Sequence, residues 1–243
     1  MDLDGKTIVI TGGSRGIGRA LARGFASDGA DVVIFGRNKK DLQETASAHA
    51  EKIITIAGDI TVEAEVDRLF NNANDRFGKI DVLINNAGII NKGAFVERSF
   101  KNWESVIRVN FIGLAMCTYK VLPGMMERGH GRIINLASRA AEQCFTTWSA
   151  YSSSKAGVIS FTKTIAAEVG PPAYPDILIN SLIPGPTKTE MFKKGGLDPS
   201  IAQDPQVVYP HTRFVVDLPP NGPHGKVFWN SKEYNIYEEF NDK

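Results

Sequence analysis

Up to about residue 185 the chain alternates short β-branched runs with segments whose apolar residues recur at helical spacing. Strand then helix, repeated in that order, is the pattern of a parallel sheet covered by helices. Strands are predicted over residues 6–12 (KTIVITG), 31–37 (DVVIFGR), 52–59 (KIITIAGD), 80–88 (IDVLINNAG), 131–138 (GRIINLAS) and 177–185 (ILINSLIPG). They are nearly continuous apolar runs, which fits strands buried on both faces; alternation with polar residues would mean one face in water. Between them, Ile17, Leu21 and Phe25 form one helical stripe, and Val62, Val66, Leu69, Ala73 and Phe77 form another, so both should face the sheet. With 243 residues, 42% of them hydrophobic, the chain can bury this core as one domain, residues 1–243. The expected class is α/β, with a doubly wound, mostly parallel sheet of about seven strands.

The alternation stops after Pro184. Proline and glycine signals surround one apolar-periodic piece, VVYPHTRFVVDL at 207–218, predicted as a helix, and one last strand is predicted over 225–229 (GKVFW). The final NSKEYNIYEEFNDK is a charged aromatic tail expected at the surface or at an interface. No linker long enough to separate a second domain interrupts the chain.

Lys plus Arg number 28 and Asp plus Glu 27, so a formal charge of +1 gives no general attraction to nucleic acid or to an anionic membrane. Cys117 and Cys144 are too few for a disulfide framework, and His49, His130, His211 and His224 lack ligand spacing, so no metal is expected. The start MDLDGKTIVI lacks a basic stretch followed by a long apolar one, and no apolar run nears the roughly 20 residues of a spanning helix. A cytoplasmic chain with neither nucleic-acid nor membrane partner is expected.

TGGSRGIG, Thr11 to Gly18, lies where the first strand gives way to the first helix, which should begin near Gly16 or Ile17. Unsatisfied N–H groups and the positive end of a helix dipole converge there and suit a phosphate. Glycine permits both the turn and a close approach. The spacing, Gly12, Gly16, Gly18, is not the usual GxGxxG, and an ordinary tight turn is the competing reading. At the end of the second strand, where Asp or Glu would bond a free ribose hydroxyl, the chain has Gly36 and Arg37. Arg15 and Arg37 could converge on one phosphate through forked, charge-assisted bonds, or both could be solvated surface arginines. The absent carboxylate favours NADP(H) over NAD(H).

A second segment, AYSSSKAGVISF, puts Tyr151 and Lys155 four residues apart, on one face of a helix. A neighbouring ammonium favours the phenolate and brings a tyrosine towards acid–base work near neutral pH. Alone, such a spacing occurs by chance in many helices. Here it stands in order with TGGSRGIG, NNAG at 85–88, Asn110 in a helical run, Ser138 at a strand end and PG at 184–185. Together these resemble the short-chain dehydrogenase/reductase family over about residues 4–191, and within it the carbonyl reductases and 3-oxoacyl-[acyl-carrier-protein] reductases.

The resemblance implies a Rossmann-type domain and a catalytic set of Asn110, Ser138, Tyr151 and Lys155. Ser138 would bond the substrate carbonyl oxygen and Tyr151 would donate the proton. Lys155 would lower the Tyr151 pKa and hold the nicotinamide ribose, and Asn110 would anchor a water that relays protons to Lys155. Cofactor contacts would come from Gly12, Ser14, Arg15, Gly16, Ile17, Gly18 and Arg37, from Asp59 and Ile60 at the adenine, and from Asn86, Ala87 and Gly88. Tyr151, Lys155, Pro184, Gly185, Thr187 and Thr189 would complete them, with the Thr187 backbone near the carboxamide and the Thr189 hydroxyl near the phosphates. Asp59 has a competing reading as a cap of the next helix, and Asn86–Gly88 one as a steadying element of the sheet.

The resemblance weakens towards the end, where residues 192–243 have no counterpart of the usual terminal strand and loop. Candidate substrate residues are Gln143, Phe145, Trp148, Met191 and Phe192, whose aromatic rings would suit an apolar carbonyl compound. Phe145 or Trp148 could instead pack against a neighbouring subunit, and Arg139 could either recognise an acidic group or be structural. The expected activity is NADPH-dependent reduction of a ketone or aldehyde, reversible, in a homodimer or homotetramer joined through the helices carrying Asn110 and Tyr151. Reduction of 3-oxoacyl thioesters is the alternative, and an NADP(H)-sensing regulator without turnover is an alternative of another class.

Overall fold

The computed structural model describes residues 1–143 and 145–236. Eight strands form one sheet: β1 (Thr7–Thr11), β2 (Asp31–Gly36), β3 (Ile53–Ala57), β4 (Val82–Asn85), β5 (His130–Leu136), β6 (Asp176–Ile183), β7 (Val227–Trp229) and β8 (Lys232–Glu233). Their order is β3-β2-β1-β4-β5-β6-β7-β8, and every neighbouring pair is parallel except β7 with β8. The chain winds outward from β1 in both directions, which leaves a crevice at the carboxyl ends of β1 and β4, where the order reverses. β8 is additional to the strands legible in the sequence; two residues without an apolar pattern give no periodic signal.

Helices α1 (Gly16–Ser27), α2 (Lys39–Ala46), α3 (Glu63–Phe77), α4 (Phe100–Ile107), α5 (Gly113–Arg128), α6 (Ser149–Glu168), α7 (Glu190–Gly195) and α8 (Val208–Val216) surround the sheet. Ile8 and Ile10 of β1 pack with Leu21 and Phe25 of α1, while Val9 packs with Leu69 of α3 and with Cys117 and Val121 of α5. Successive strand residues thus feed two cores, as burial on both faces requires. Val62 departs from the expected stripe: it is the residue before α3, 44% exposed, and does not turn with the helix. Burial also pushes the free Cys117 thiol up to about 12, so it behaves as a small apolar group; Cys144 lies outside the described residues.

α4, one π-helical turn (Arg108–Ile112) and α5 run on without a break, giving 29 residues from Phe100 to Arg128. By length and composition alone this helix could cross a membrane, although polar residues interrupt it and it holds no unbroken apolar run of that length. In the fold the helix is a layer element, with Val106, Leu114, Cys117, Val121 and Met125 packed inward.

After β6 the chain makes a helix not predicted from the sequence, α7, with Thr189 accepting from the Phe192 N–H at its start and Gly196 in left-handed conformation at its end. Ile236, in the tail expected at the surface, is buried; residues 237–243 of that tail lie outside the described residues.

Candidate active site

The crevice at the carboxyl ends of the strands opens into a cleft of about 1300 Å³, part of it open to solvent. One end is the glycine loop. Gly12 and Gly16 have φ of 70° and 55°, and a Cβ on Gly18 would lie 2.2 Å from the Gly12 carbonyl oxygen, so the turn closes on itself too tightly for a side chain. Gly12, Ser14, Arg15, Gly16 and Ile17 line the cleft, while Gly18 is buried behind the turn. The loop is held from outside by Arg19, whose guanidinium donates twice to the Ser14 carbonyl (3.2 and 2.8 Å), and by the Thr45 hydroxyl on the same oxygen (3.1 Å). Neither residue has a sequence signal, because their partner is a backbone atom of a distant turn.

Arg37 and Asp59 meet the cleft beside this loop. The Arg37 side chain is 70% exposed and its Nη1 lies 4.0 Å from an Asp59 carboxylate oxygen, a contact that water screens. Asp59 does not cap α3, whose capping residue is Val62; its other oxygen accepts from the Thr61 amide (2.9 Å) and hydroxyl (2.8 Å) in a turn of its own. Ile60 lines the cleft and packs where Gly113 leaves room.

Asn86 ties the two central strand ends together, its Nδ2 donating to the Thr11 (2.9 Å) and Gly12 (3.1 Å) carbonyls, while the Thr11 hydroxyl accepts from the Asn86 and Ala87 amides. Ala87 and Gly88 continue along the cleft wall. The wall then extends through Ile89 and Ile90, which sequence reasoning missed although they directly follow NNAG.

The other end of the cleft is built from side chains. Asn110 sits in the π-helical turn with no exposed surface. Its Oδ1 accepts from the Ile89 amide (2.8 Å), and its Nδ2 donates to the Ile89 carbonyl (3.0 Å) and the Ser154 hydroxyl (3.0 Å). Both donors are therefore spent on clamping the wall to α6, and neither reaches Lys155. Tyr151 and Lys155 lie four residues apart on α6 and both line the cleft, although they are only 8% and 5% exposed. Ser138, at the end of β5, hydrogen-bonds the Tyr151 phenol and also accepts from the Ala140 amide (3.1 Å).

The electrostatics differ from the sequence expectation. Burial raises the Tyr151 pKa, and the group that opposes burial is Ser138, not Lys155. The Lys155 ammonium is 5.8 Å from the phenol ring centre and donates to the Leu136 carbonyl (2.6 Å). Its own burial lowers its pKa to about 8.

The loop after β6 closes the cleft. Pro184 and Thr189 line it; Gly185 and Thr187 do not, and the buried Thr187 hydroxyl donates to the Gly185 carbonyl (3.1 Å). The Thr189 hydroxyl is engaged as the cap of α7, and its methyl is what a Cβ on Gly16 would strike at 2.9 Å. Gln203, unmarked in the sequence, pins this loop by donating to the Pro184 carbonyl (2.9 Å).

Of the candidate substrate residues, Met191 lines the cleft and Gln143, Phe145, Trp148 and Phe192 do not. Trp148 is 8% exposed and stands edge-on to Tyr151 at 5.6 Å, with Phe145 against it at 4.8 Å. These two rings pack behind the tyrosine because the turn before α6 folds them inward. Glu190 and Lys194 of α7 also line the cleft and had no sequence signal, since they depend on a helix not predicted there.

The family model for short chain dehydrogenases matches residues 6–199. A ketoacyl reductase, HetN of Nostoc sp., is 40% identical over 170 residues, 69% of this chain but 59% of that relative, so the match spans less than two thirds of its length. A 3-oxoacyl-[acyl-carrier-protein] reductase of Synechocystis sp. is 36% identical over 214 residues, 85% of this chain and 84% of the relative. Among solved structures, a 3-ketoacyl-(acyl-carrier-protein) reductase from Brucella melitensis complexed with NADH superposes with a TM-score of 0.86 at 28% identity, covering 93% of this chain and 97% of the other. An actinorhodin polyketide ketoreductase with NADPH gives 0.84 at 27% identity, covering 92% and 95%. The chain belongs to the short-chain dehydrogenase/reductase family. It is an oxidoreductase of C=O and CH–OH groups, from a family that works with a nicotinamide cofactor.

Proposed function

We propose that this protein reduces a ketone or aldehyde to the alcohol with NADPH, reversibly, using Tyr151 as the general acid. The observation that carries this reading is the placement of Tyr151 and Lys155, buried side by side on α6, in a cleft whose far end is a glycine turn too tight for side chains. That turn fits a dinucleotide: its glycines let the backbone close tightly and leave amide N–H groups uncovered by side chains, and the N-terminus of α1 faces the cleft there. Gly12, Ser14, Gly16 and Ile17 would hold the pyrophosphate, with Gly18 making the turn possible. Arg15 and Arg37 would hold the 2′-phosphate, which is the ground for NADPH over NADH. Asp59 and Ile60 would border the adenine; Asn86, Ala87, Gly88, Pro184 and Thr189 would wall the remainder, with Gly185 and Thr187 shaping the loop from behind.

When bound, the reduced nicotinamide supplies the hydride. The Ser138 hydroxyl and Tyr151 phenol would take the carbonyl oxygen between them, and the phenol proton would pass to that oxygen as negative charge builds there. Burial keeps the proton on Tyr151 at neutral pH, the state that reduction requires. Lys155 gives one N–H to the Leu136 carbonyl and keeps two for a ribose hydroxyl and for water. Asn110 acts as a positioning residue, fixing Ile89 and Ser154 around the tyrosine.

A second reading concerns substrate. Relatives at 32–40% identity are named ketoacyl or 3-oxoacyl-[acyl-carrier-protein] reductases, which favours a 3-oxoacyl thioester. One assay tests both: consumption of NADPH and NADH in parallel against an acetoacetyl thioester, aryl ketones, diketones and sugars, with Tyr151→Phe as control. Reduction with NADPH that disappears in the variant supports the mechanism, and the preferred panel member names the class. NADPH binding without turnover in either direction would overturn it.

We further propose a cytoplasmic homodimer or homotetramer joined through α4–α5 and α6. Exposed Phe100, Ile112 and Tyr119 on the long helix support an apolar contact there. A sedimentation mass equal to one chain at micromolar concentration would rule that assembly out.

A further inference from the structure

The turn that carries Ser138 is held by the last hairpin of the sheet. Directly after Ser138 the chain makes a single helical turn, Arg139–Ala141, ending at Glu142. The Arg139 guanidinium stacks on the Trp229 ring, 4.5 Å from its centre. The Tyr234 hydroxyl donates to the Glu142 carboxylate (2.9 Å to Oε2) and also hydrogen-bonds Arg139. Trp229 and Tyr234 are themselves locked edge to face at 5.5 Å, and the Tyr234 amide donates to the Val227 carbonyl (2.7 Å). Trp229 lies in register beside Ile183 of β6, and its indole nitrogen lies 3.8 Å from where a Cβ on Gly185 would stand. The hairpin therefore reaches across the end of β6 and grips both ends of the Ser138 turn. None of Arg139, Glu142, Trp229 and Tyr234 lines the cleft.

We propose that Trp229 and Tyr234 are positioning residues, which hold the Arg139–Glu142 turn so that the Ser138 hydroxyl is aimed at the Tyr151 phenol. Arg139 is then structural and does not recognise an acidic substrate. The inference rests on the assignment of Ser138 and Tyr151 to the reaction, and it has a consequence beyond mere folding. Ser138 is what opposes the burial of the phenol; a loosened turn lets the Tyr151 pKa climb further. Alcohol oxidation needs the phenolate, so its rise with pH must move to higher pH when the brace is lost.

The test is the pH profile of kcat for alcohol oxidation, with NADP+ affinity measured alongside, for Trp229→Ala, Trp229→Phe, Tyr234→Phe and Arg139→Met. A cation–π and hydrogen-bonded brace of this kind predicts a roughly tenfold fall in kcat for Trp229→Ala, with unchanged NADP+ affinity and the ascending limb displaced upward. Tyr234→Phe keeps the ring and loses the bonds, so roughly a threefold fall is expected. Trp229→Phe should restore most of the loss. Arg139→Met should have little further effect when combined with Trp229→Ala, because the two share one contact. Should Trp229→Ala fail to fold, Tyr234→Phe and Arg139→Met carry the test. Folded variants with an unmoved limb, or with losses in NADP+ affinity equal to those in kcat, overturn the brace while Tyr151→Phe remains inactive. An active Tyr151→Phe overturns the underlying assignment as well.

Discussion

At the glycine-loop end of the cleft, the chain offers backbone donors from one run of eight residues, Thr11 to Gly18, backed by Asn86 and Arg19. At the reacting end it offers buried side chains from the π-helical turn, from β5 and from α6, joined through Asn110, Ser138, Tyr151, Ser154 and Lys155. The first end is local, and its charged groups, Arg15, Arg37 and Asp59, stay in contact with water. The second is assembled over long range and carries a desolvated ammonium and phenol. Where binding needs only shape and partial charge, backbone suffices. Where a proton must move, ionisable groups have to be buried, and burial costs stability.

The variants that would break or sharpen this contrast fall in order of effect. Tyr151→Phe keeps the ring packed on Trp148 and removes the proton, so kcat should drop by about 10³-fold with NADPH affinity unchanged; a drop below tenfold would mean that the reacting end is not where the proton comes from. Gly18→Ala sets a Cβ against the Gly12 carbonyl, where only backbone can yield, and should cost about 3 kcal/mol in urea unfolding while NADPH binding falls with it.

Lys155 separates the ends by pH. Its folded pKa of about 8 is below the ordinary 10.5, so between those values the unfolded chain holds a proton that the folded chain has shed. Stability from this group therefore rises with pH across that window, by about 3 kcal/mol in all, and the stability of Lys155→Met should lack that rise. Parallel unfolding curves of the two proteins from neutral to alkaline pH measure it; identical slopes would place the ammonium in water. Smallest is Arg37→Ala: NADPH should bind about 10–100-fold more weakly and NADH equally well, since only the 2′-phosphate would lose a charge-assisted bond. Equal loss for both cofactors would make Arg37 a general surface charge.

How much of this could be read in the sequence depended on range. The strands of apolar runs, the first turn and the Tyr151–Lys155 pairing were legible because each is set by residues near in sequence. The second strand, 31–37, ends one residue early, and the fourth, 80–88, ends at Asn85, because Asn86 turns away to bond the Thr11 and Gly12 carbonyls. α7 was missed: six residues held by the Thr189 cap and Gly196 have too few turns to show a period. The competing reading of Asp59 as a helix cap fails, since it closes its own turn; the Thr189 hydroxyl accepts from the Phe192 amide as the cap of α7, a contact the sequence did not signal.

The sequence by itself determined the doubly wound sheet, the order of its strands' signals and the residue types at both ends of the cleft, since apolar periodicity and glycine placement act through neighbours along the chain. The tertiary structure alone decided that the Lys155 ammonium donates to the Leu136 carbonyl, that Asn110 spends its donors on Ile89 and Ser154, and that Arg139 stacks on Trp229. Desolvation and hydrogen-bond partnership are fixed by what packs around a group, and for each of these residues the partner comes from another element of the fold.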